Sequence, residues 1–336
     1  MITTSEKLSA PAGQSRAGVT VLEVISVLSV VTLLAALFFP AIQKAREAAR
    51  RTTCASNLRQ IGQAAYQHQS AHGTFPDPRF HLRELLPYLD QQALYEELIS
   101  SEFGSETPQG NVSLLVCPSD SHSDSSRNDT NYWLNTGTWF ATNRCNGMVV
   151  CESHIRRRAP RLQEVRDGLS NTAFYAERLV VPDVSWYSGP GTSKFAKYSR
   201  RYEKRFVWWP DRTFSPGDSA PLAQACQLKS TRVTAESPSR AGQRAFRASN
   251  GWYNHAGGPN SHSCYLQALS FWTPRHNHWG SIAGLSRGTV PSTSAHDGGV
   301  HVLLADGSNR FVSDQISLST WRALGTRADR DEIGSF

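Results

Sequence analysis

Residues 19–42 are apolar apart from Glu23 and a few hydroxyls. At 1.5 Å per residue, about 20 residues cross the hydrocarbon core of a bilayer, so this run is long enough to span one as a helix. A charged side chain placed in hydrocarbon costs about 2.5–3.5 kcal/mol even on the lenient insertion scale, and such residues are seldom tolerated without a partner. The segment therefore asks for lipid or an apolar assembly around it, and for something to meet Glu23.

In front of the run stands a short polar, basic leader, residues 1–18, ending in Arg16-Ala17-Gly18. A cleaved secretory signal has an apolar core of about 7–15 residues followed by small residues at the cut. Here the core is longer, it carries Glu23, and its small residue, Gly18, precedes it. A helix that is kept is the expectation. Basic residues flank the run on both sides (Lys7 and Arg16 before it, Lys44, Arg46, Arg50 and Arg51 after it), so the positive-inside rule does not fix orientation.

The remaining sequence has the balance of a folded, water-facing protein. Its 336 residues, 39% of them hydrophobic, suffice for a sizeable core in one large domain or two smaller ones. The net charge of +7 is mild for this length and does not by itself indicate nucleic acid. Six cysteines are present, Cys54, Cys117, Cys145, Cys151, Cys226 and Cys264, and none stands in a C-x-x-C pair, which argues against a zinc ribbon or a thioredoxin motif. An even count behind an export signal points to disulfides and to a body outside the cytoplasm. Six cysteines allow about 15 connectivities. The short Cys145–Cys151 loop is the first choice and Cys226–Cys264 the second, which leaves Cys54 and Cys117 to tie the helix to the body.

The helix is expected to continue beyond the apolar run. Ala41, Ala45, Ala48, Thr52, Ala55, Leu58, Gly62 and Ala65 recur at spacings of three and four, one face of an α-helix, while Arg46, Glu47, Arg50, Arg51 and Arg59 lie off that stripe. The pattern fades at His72-Gly73, with Pro76 just beyond, which predicts a helix over 19–72 with a kink or loosening at Pro40.

The segment Gly18-Val19-Thr20-Val21-Leu22-Glu23, followed by apolar sequence and Pro40, resembles the start of type IV pilins and of type II secretion pseudopilins. The resemblance implies cleavage by a prepilin peptidase after Gly18, with Val19 as the new, methylated N-terminus and Glu23 as the fifth mature residue. In that class the glutamate is thought to pair with the free amine of an adjacent subunit. Val19 departs from the pattern, since the family usually has phenylalanine there.

From Gly73 onward the chain reads as short helices, strands and turns. Residues 82–98 suggest a short helical pair, and Asp167-Gly168 to Thr172 is turn chemistry leading into a strand over Ala173–Arg178. The clearest hairpin is Val300–Ala305 and Ser308–Val312 around Asp306-Gly307, followed by a short helix from about Ile316. His296 stands ten residues before Asp306-Gly307, an H-x9-DG signature. Supporting landmarks are Cys54-Ala-Ser-Asn57, Gly73-Thr-Phe-Pro76, Cys117-Pro-Ser-Asp120, Asp167–Thr172 and Gly258-Pro-Asn260. Together with the pilin-like start, these resemble a large bacterial family whose function is mostly unassigned. The implied fold is α+β: a leader over 1–18, a pilin-type helix over 19–72 (transmembrane over 19–42), and a β-rich head over 73–336 with the signature hairpin at 296–312.

Several residue groups carry candidate chemistry. His296 and Asp306 read either as a general acid–base pair or as a turn-shaping aspartate beside a histidine bonded to nearby backbone; no nucleophile motif such as G-x-S-x-G accompanies them, so no catalytic residues are assigned and an enzyme is not expected. His255, His262, His276, His278, His296 and His301 cluster late, near Cys264, but no spacing matches a zinc site. Asp120, Asp124 and Asn128 resemble a calcium loop that lacks its central glycine and terminal glutamate. No cofactor or metal is therefore expected, calcium and zinc being the alternatives considered. Lys197, Arg200, Arg201, Trp208 and Trp209 interleave cations with aromatics, which suits DNA or polysaccharide, or else a solvated basic strand over core tryptophans. The sequence reading is a structural subunit of a type IV pilus or type II-like pseudopilus, whose partners are prepilin peptidase, other pilin-like subunits and the membrane through 19–42. Before assembly it would be single-pass in the bacterial inner membrane with an extracytoplasmic head, and afterwards in a surface or periplasmic filament. The alternatives are a membrane-tethered binding module for polysaccharide or DNA, and a surface hydrolase.

Overall fold

The computed structural model describes residues 20–100, 110–138, 145–152, 157–180, 207–208, 245–246, 251–265, 271–273, 278–280 and 288–331. The chain divides into two compact units, Met1–Ala49 and Arg50–Phe336, and helix α1 (Val21–His72) contributes to both.

Within the first unit α1 runs without interruption through Pro40, where the sequence suggested a kink or loosening. The side chains of Val21, Leu22, Ile25, Leu28, Val31, Leu34, Leu37 and Phe38 are exposed. The few hydroxyls of this stretch bond back along the helix: Ser26 Oγ donates to the Glu23 carbonyl, Ser29 Oγ to Ile25 and Thr32 Oγ1 to Leu28, each at 2.8 Å. Such back-bonding leaves the hydroxyls with a partner in the absence of water.

In the second unit the same helix acquires a buried face. Cys54, Leu58, Ile61, Ala65 and His68 follow one another at spacings of four and three and are buried. Ala55, Leu58, Gly62 and Ala65 of the expected stripe are on the buried side, whereas Ala41, Ala45, Ala48 and Thr52 are exposed. A Cβ on Gly62 would lie 3.0 Å from the Leu303 side chain, so the missing side chain permits the close approach of helix to sheet. Beyond α1 the expected helical pair is present as α2 (His81–Leu85), which tightens into a 3-10 turn at Leu86–Leu89, and α3 (Gln92–Ser100).

The strands are β1 (Tyr132–Asn135), β2 (Val150–Cys151), β3 (Arg157–Arg158), β4 (Ala173–Glu177), β5 (Val207–Trp208), β6 (Trp252–Tyr253), β7 (Ser263–Tyr265), β8 (Phe271–Thr273), β9 (His278–Gly280), β10 (Gly288–Thr289), β11 (Gly299–Leu304) and β12 (Asn309–Ser313). The main sheet has the order β12-β11-β4-β1-β6, antiparallel except for the β1–β6 pair. Its central strand β4 is buried at every position, so it reads as an unbroken run rather than an alternation. On β11 the alternation is clear: Leu303 joins the core beneath α1, while Val300, Val302 and Leu304 join the core beneath helix α4 (Leu318–Gly325) with Trp321 and Leu324. The fold is mixed α+β, with helices on both faces of the main sheet.

The β11–β12 connection refines the sequence reading. Gly307 alone takes a positive φ of 83°, its N–H donates to the Leu304 carbonyl at 3.0 Å, and Leu304 N–H closes on Ser308 at 2.8 Å. This is a type I turn followed by a left-handed glycine, not the two-residue mirror-image turn that an Asp-Gly pair suggests. The reason is tertiary: the Ala305 and Asp306 N–H groups donate to the Thr172 and Leu169 carbonyls at 2.7 and 3.0 Å, so the turn leans on the 167–172 segment.

Candidate functional site

Helix α1 begins with a reciprocal cap. Thr20 Oγ1 accepts the Glu23 N–H at 3.3 Å, and the Glu23 carboxylate accepts the Thr20 N–H at 2.8 Å and its hydroxyl at 3.0 Å. This is a capping box, T-x-x-E, and it satisfies donors that a helix N-terminus otherwise leaves open. The same four-residue string carries the pilin resemblance, so one carboxylate serves two readings. Gly18 and Val19 lie outside the described residues.

A second site is built inside the head. Cys54 of α1 is disulfide-bonded to Cys117, 63 residues later, and a second disulfide joins Cys145 to Cys151. Over the first sits a buried carboxylate–imidazole pair: Glu177 Oε1 is 3.3 Å from His296 Nε2, and the two side chains are 2% and 1% exposed. Cys117 Sγ is 3.8 Å from the same His296 nitrogen and 4.0 Å from Glu177 Oε1. The other carboxylate oxygen of Glu177 accepts the His301 N–H at 2.9 Å, and the His301 ring stands edge-on to His296 with 5.4 Å between centroids.

Sequence landmarks position Cys54, Cys117 and His296. The Cys117 N–H donates to Asn131 Oδ1 at 2.8 Å, and Asn131 Nδ2 donates to Asp120 Oδ2 at 2.8 Å, which pins Cys117-Pro-Ser-Asp120 at both ends. Asn57, one turn after Cys54, donates to the Val116 carbonyl at 3.1 Å and to the Tyr132 hydroxyl at 3.2 Å. Burial, and secondly the charge of Glu177, push the Tyr132 hydroxyl well above its ordinary range, so it stays protonated. Asn260, with φ at 55°, accepts the Ser294 N–H at 2.8 Å, and Ser294 Oγ in turn accepts the His296 N–H at 3.1 Å. The same loop is fastened to the end of β4 by Thr293 N–H and Ser292 Oγ, which donate to the Glu177 carbonyl at 3.0 and 2.8 Å.

Asp306 and Gly307 form a different knot. Asp306 Oδ1 accepts the Ser308 N–H at 2.8 Å, and the Tyr66 hydroxyl of α1 donates to the Ala305 carbonyl. Burial, and then the Asp306 charge, raise the Tyr66 hydroxyl above its usual range. His296 precedes β11 and Asp306 follows it, with about 20 Å of strand between them, so the structure does not bring them together as an acid–base pair.

The other candidates separate as well. His255 is buried between Trp321, onto which its ring stacks at 4.0 Å, and the Tyr253 hydroxyl at 3.1 Å; burial pulls it down to about 3. His276 lies outside the described residues, as does the side chain of His278. Asp120 and Asp124 turn their carboxylates onto nearby backbone N–H groups, of His122 and Val180 and of Ser126 respectively, and Asn128 Oδ1 accepts the Gly110 N–H at 2.8 Å. Their oxygens thus shape the loop. Lys197, Arg200, Arg201, Trp209 and Cys226 lie outside the described residues, while Trp208 and Cys264 are described in backbone only, as register partners in the parallel β5–β7 pair.

Glu177 is the member of the buried cluster that sequence reasoning missed. It ends a fully buried strand and belongs to no motif, and its only local signal is a charge closing an apolar run. No curated protein and no solved structure matches the chain. A family model matches residues 43–319, a stretch that contains the Cys54–Cys117 link, Glu177, His296 and the Asp306-Gly307 turn. The chain therefore belongs to the family described as "Protein of unknown function (DUF1559)".

Proposed function

We propose that the protein is a structural subunit of a type IV pilus or type II-like pseudopilus, processed between Gly18 and Val19 and anchored through the first part of α1. The observation that carries this reading is the exposure of the large apolar side chains between Val21 and Ile42 on a helix long and apolar enough to cross a membrane. Side chains of this kind need lipid before assembly and neighbouring helices after it. The Thr20–Glu23 cap supports the reading, because both residues lie on the mature side of the cut and the helix start survives processing. Removal of residues 1–18 adds a free amine at Val19, next to a carboxylate already turned toward the helix N-terminus.

The head, in this reading, is a displayed body without catalysis. The burial of its Glu177–His296 pair supports a structural role for those two side chains. Intact-mass analysis of the native protein tests the processing: a chain beginning at Val19 is expected, and a chain beginning at Met1 or cut after the apolar run overturns it. Glu23→Val, exported normally, is expected to be absent from purified filaments. Its normal incorporation would remove Glu23 from the mechanism.

A further inference from the structure

Four donor atoms from four separate parts of the head meet at one point. Cys54 Sγ from α1, Cys117 Sγ from the segment before β1, Glu177 Oε from the end of β4 and His296 from the loop before β11 lie within 4.8 Å of one another, all buried. A catalytic relay of cysteine, histidine and carboxylate would place the sulfur and the carboxylate on opposite ring nitrogens of the histidine. Here the Cys117 sulfur and the Glu177 oxygen both face Nε2, at 3.8 and 3.3 Å. Donors that converge on one side of an imidazole are arranged as ligands around a centre.

We propose that Cys54, Cys117, Glu177 and His296 form a four-ligand site for Zn2+ that the disulfide closes and reduction opens. Tetrahedral zinc binds sulfur at about 2.3 Å and imidazole nitrogen or carboxylate oxygen at about 2.0–2.2 Å, so its ligand atoms stand about 3.3–3.8 Å apart. The Glu177–His296 and Cys117–His296 separations of 3.3 and 3.8 Å fall within those edges, the Cys117–Glu177 separation of 4.0 Å lies just beyond them, and the two bonded sulfurs must move apart on reduction. What the oxidised chain lacks is thiolates, the form of cysteine that binds metal. Two thiolates, an imidazole and a carboxylate suit Zn2+ better than the harder Mg2+ or Ca2+. Outer contacts hold the donors in place: His301 N–H on Glu177 and Asn131 on the Cys117 backbone.

The step balances with an external dithiol as the reductant and Zn2+ as the cation. A dithiol reductant gives two electrons and two protons to the Cys54–Cys117 bond, producing two thiols and its own disulfide. Each thiol then releases its proton to solvent as Zn2+ binds. Helix and head are cross-linked in both states, covalently when oxidised and through the cation when reduced.

The full chain in detergent tests this with Co2+ as a spectroscopic stand-in and a water-soluble phosphine as reductant, which is oxidised to its oxide with oxygen from water. The reduced chain is expected to bind one equivalent with the thiolate-to-cobalt charge-transfer band and the visible bands of a tetrahedral site, and the oxidised chain to show neither. Cys145→Ser/Cys151→Ser should keep the signal. His296→Ala and Glu177→Gln should each weaken binding by at least about 10-fold, since changes to outer contacts alone cost about 10–100-fold. Added Zn2+ should raise the Tm of the reduced chain and leave that of the oxidised chain unmoved. The proposal is overturned if the reduced chain gives no such bands, if they persist undiminished in both His296→Ala and Glu177→Gln, or if reduction unfolds the head and Zn2+ does not restore it.

Discussion

The two units carry opposite mismatches with water. In the first, Val21 to Ile42 present apolar side chains at the surface, with Glu23 the only charge among them. In the second, a carboxylate, an imidazole and a second histidine are buried beside a disulfide. Each would be unfavourable in isolation. The head resolves its mismatch internally, with Glu177 meeting His296 and the His301 N–H. The helix resolves its hydroxyls and its first turn, and its apolar surface is exposed among the described residues of the unit. The polar cluster is satisfied within the head, whereas the apolar face of the helix is left exposed.

The sharpest way to break the comparison is to unbalance the head. Glu177→Ala leaves a buried imidazole without its carboxylate and the His301 N–H without its acceptor. Removing one partner of a buried pair costs about 3–5 kcal/mol, and this variant should lie at the upper end in a denaturant titration. Glu177→Gln, which keeps an acceptor, should cost clearly less. Equal losses would show that the charge carries the whole contribution and that the retained acceptor and shape carry none.

The disulfide comes next. Cys54→Ala/Cys117→Ala releases a loop with a sequence separation of 63, worth about 4 kcal/mol in the chain-entropy account and a fall in Tm on the order of 10 °C. The corresponding change at Cys145 and Cys151, separated by 6, should cost less. If the two variants melt alike, the link between α1 and the segment before β1 is not what organises the head.

What could be read from the chain follows the range of each interaction. The β11–β12 hairpin and the strand at Ala173–Glu177 are local patterns, and the structure has them within a residue or two of expectation. Leu58, Gly62 and Ala65 were legible for the same reason, through spacings of three and four. Ala41, Ala45 and Ala48 show the limit of that signal, because alanines fit an exposed helix face as well as a buried one. The family landmarks were visible as strings, but their convergence was not. Cys54, Cys117, Glu177 and His296 are separated by up to 242 positions (296 minus 54), and the packing of α1 and two loops against the end of β4 brings them together. The turn type at Asp306-Gly307 was not legible for a related reason: the Ala305 and Asp306 N–H groups donate to Thr172 and Leu169, far away in sequence.

Acid should test a buried histidine outside the cluster. His255 is held down to about 3 by burial, against an ordinary value of 6.5. Between those values the unfolded chain binds more protons than the folded one. Its contribution is therefore complete above pH 6.5 and is lost as pH falls toward 3, by at most about 1.4 kcal/mol per pH unit. Stability measured between about pH 7 and 4 should decline, and His255→Asn should flatten part of that decline even if it lowers the plateau. An unchanged slope in the variant would assign the acid sensitivity elsewhere.

The smallest expected effect decides most about the helix. Glu23 has two partners on offer: the Thr20 end of its own helix, bonded in the structure, and the amine of a neighbouring subunit, which the assembly reading requires. Thr20→Ala removes the hydroxyl half of the capping box and leaves the carboxylate in place, at a cost of about 1 kcal/mol to the helix start. If docking is what Glu23 does, Thr20→Ala filaments should form in near-normal amount while Glu23→Val filaments do not. If both variants fail alike, with export and processing intact in each, the carboxylate matters because it caps its own helix, and the exposed apolar surface must find its partners without it.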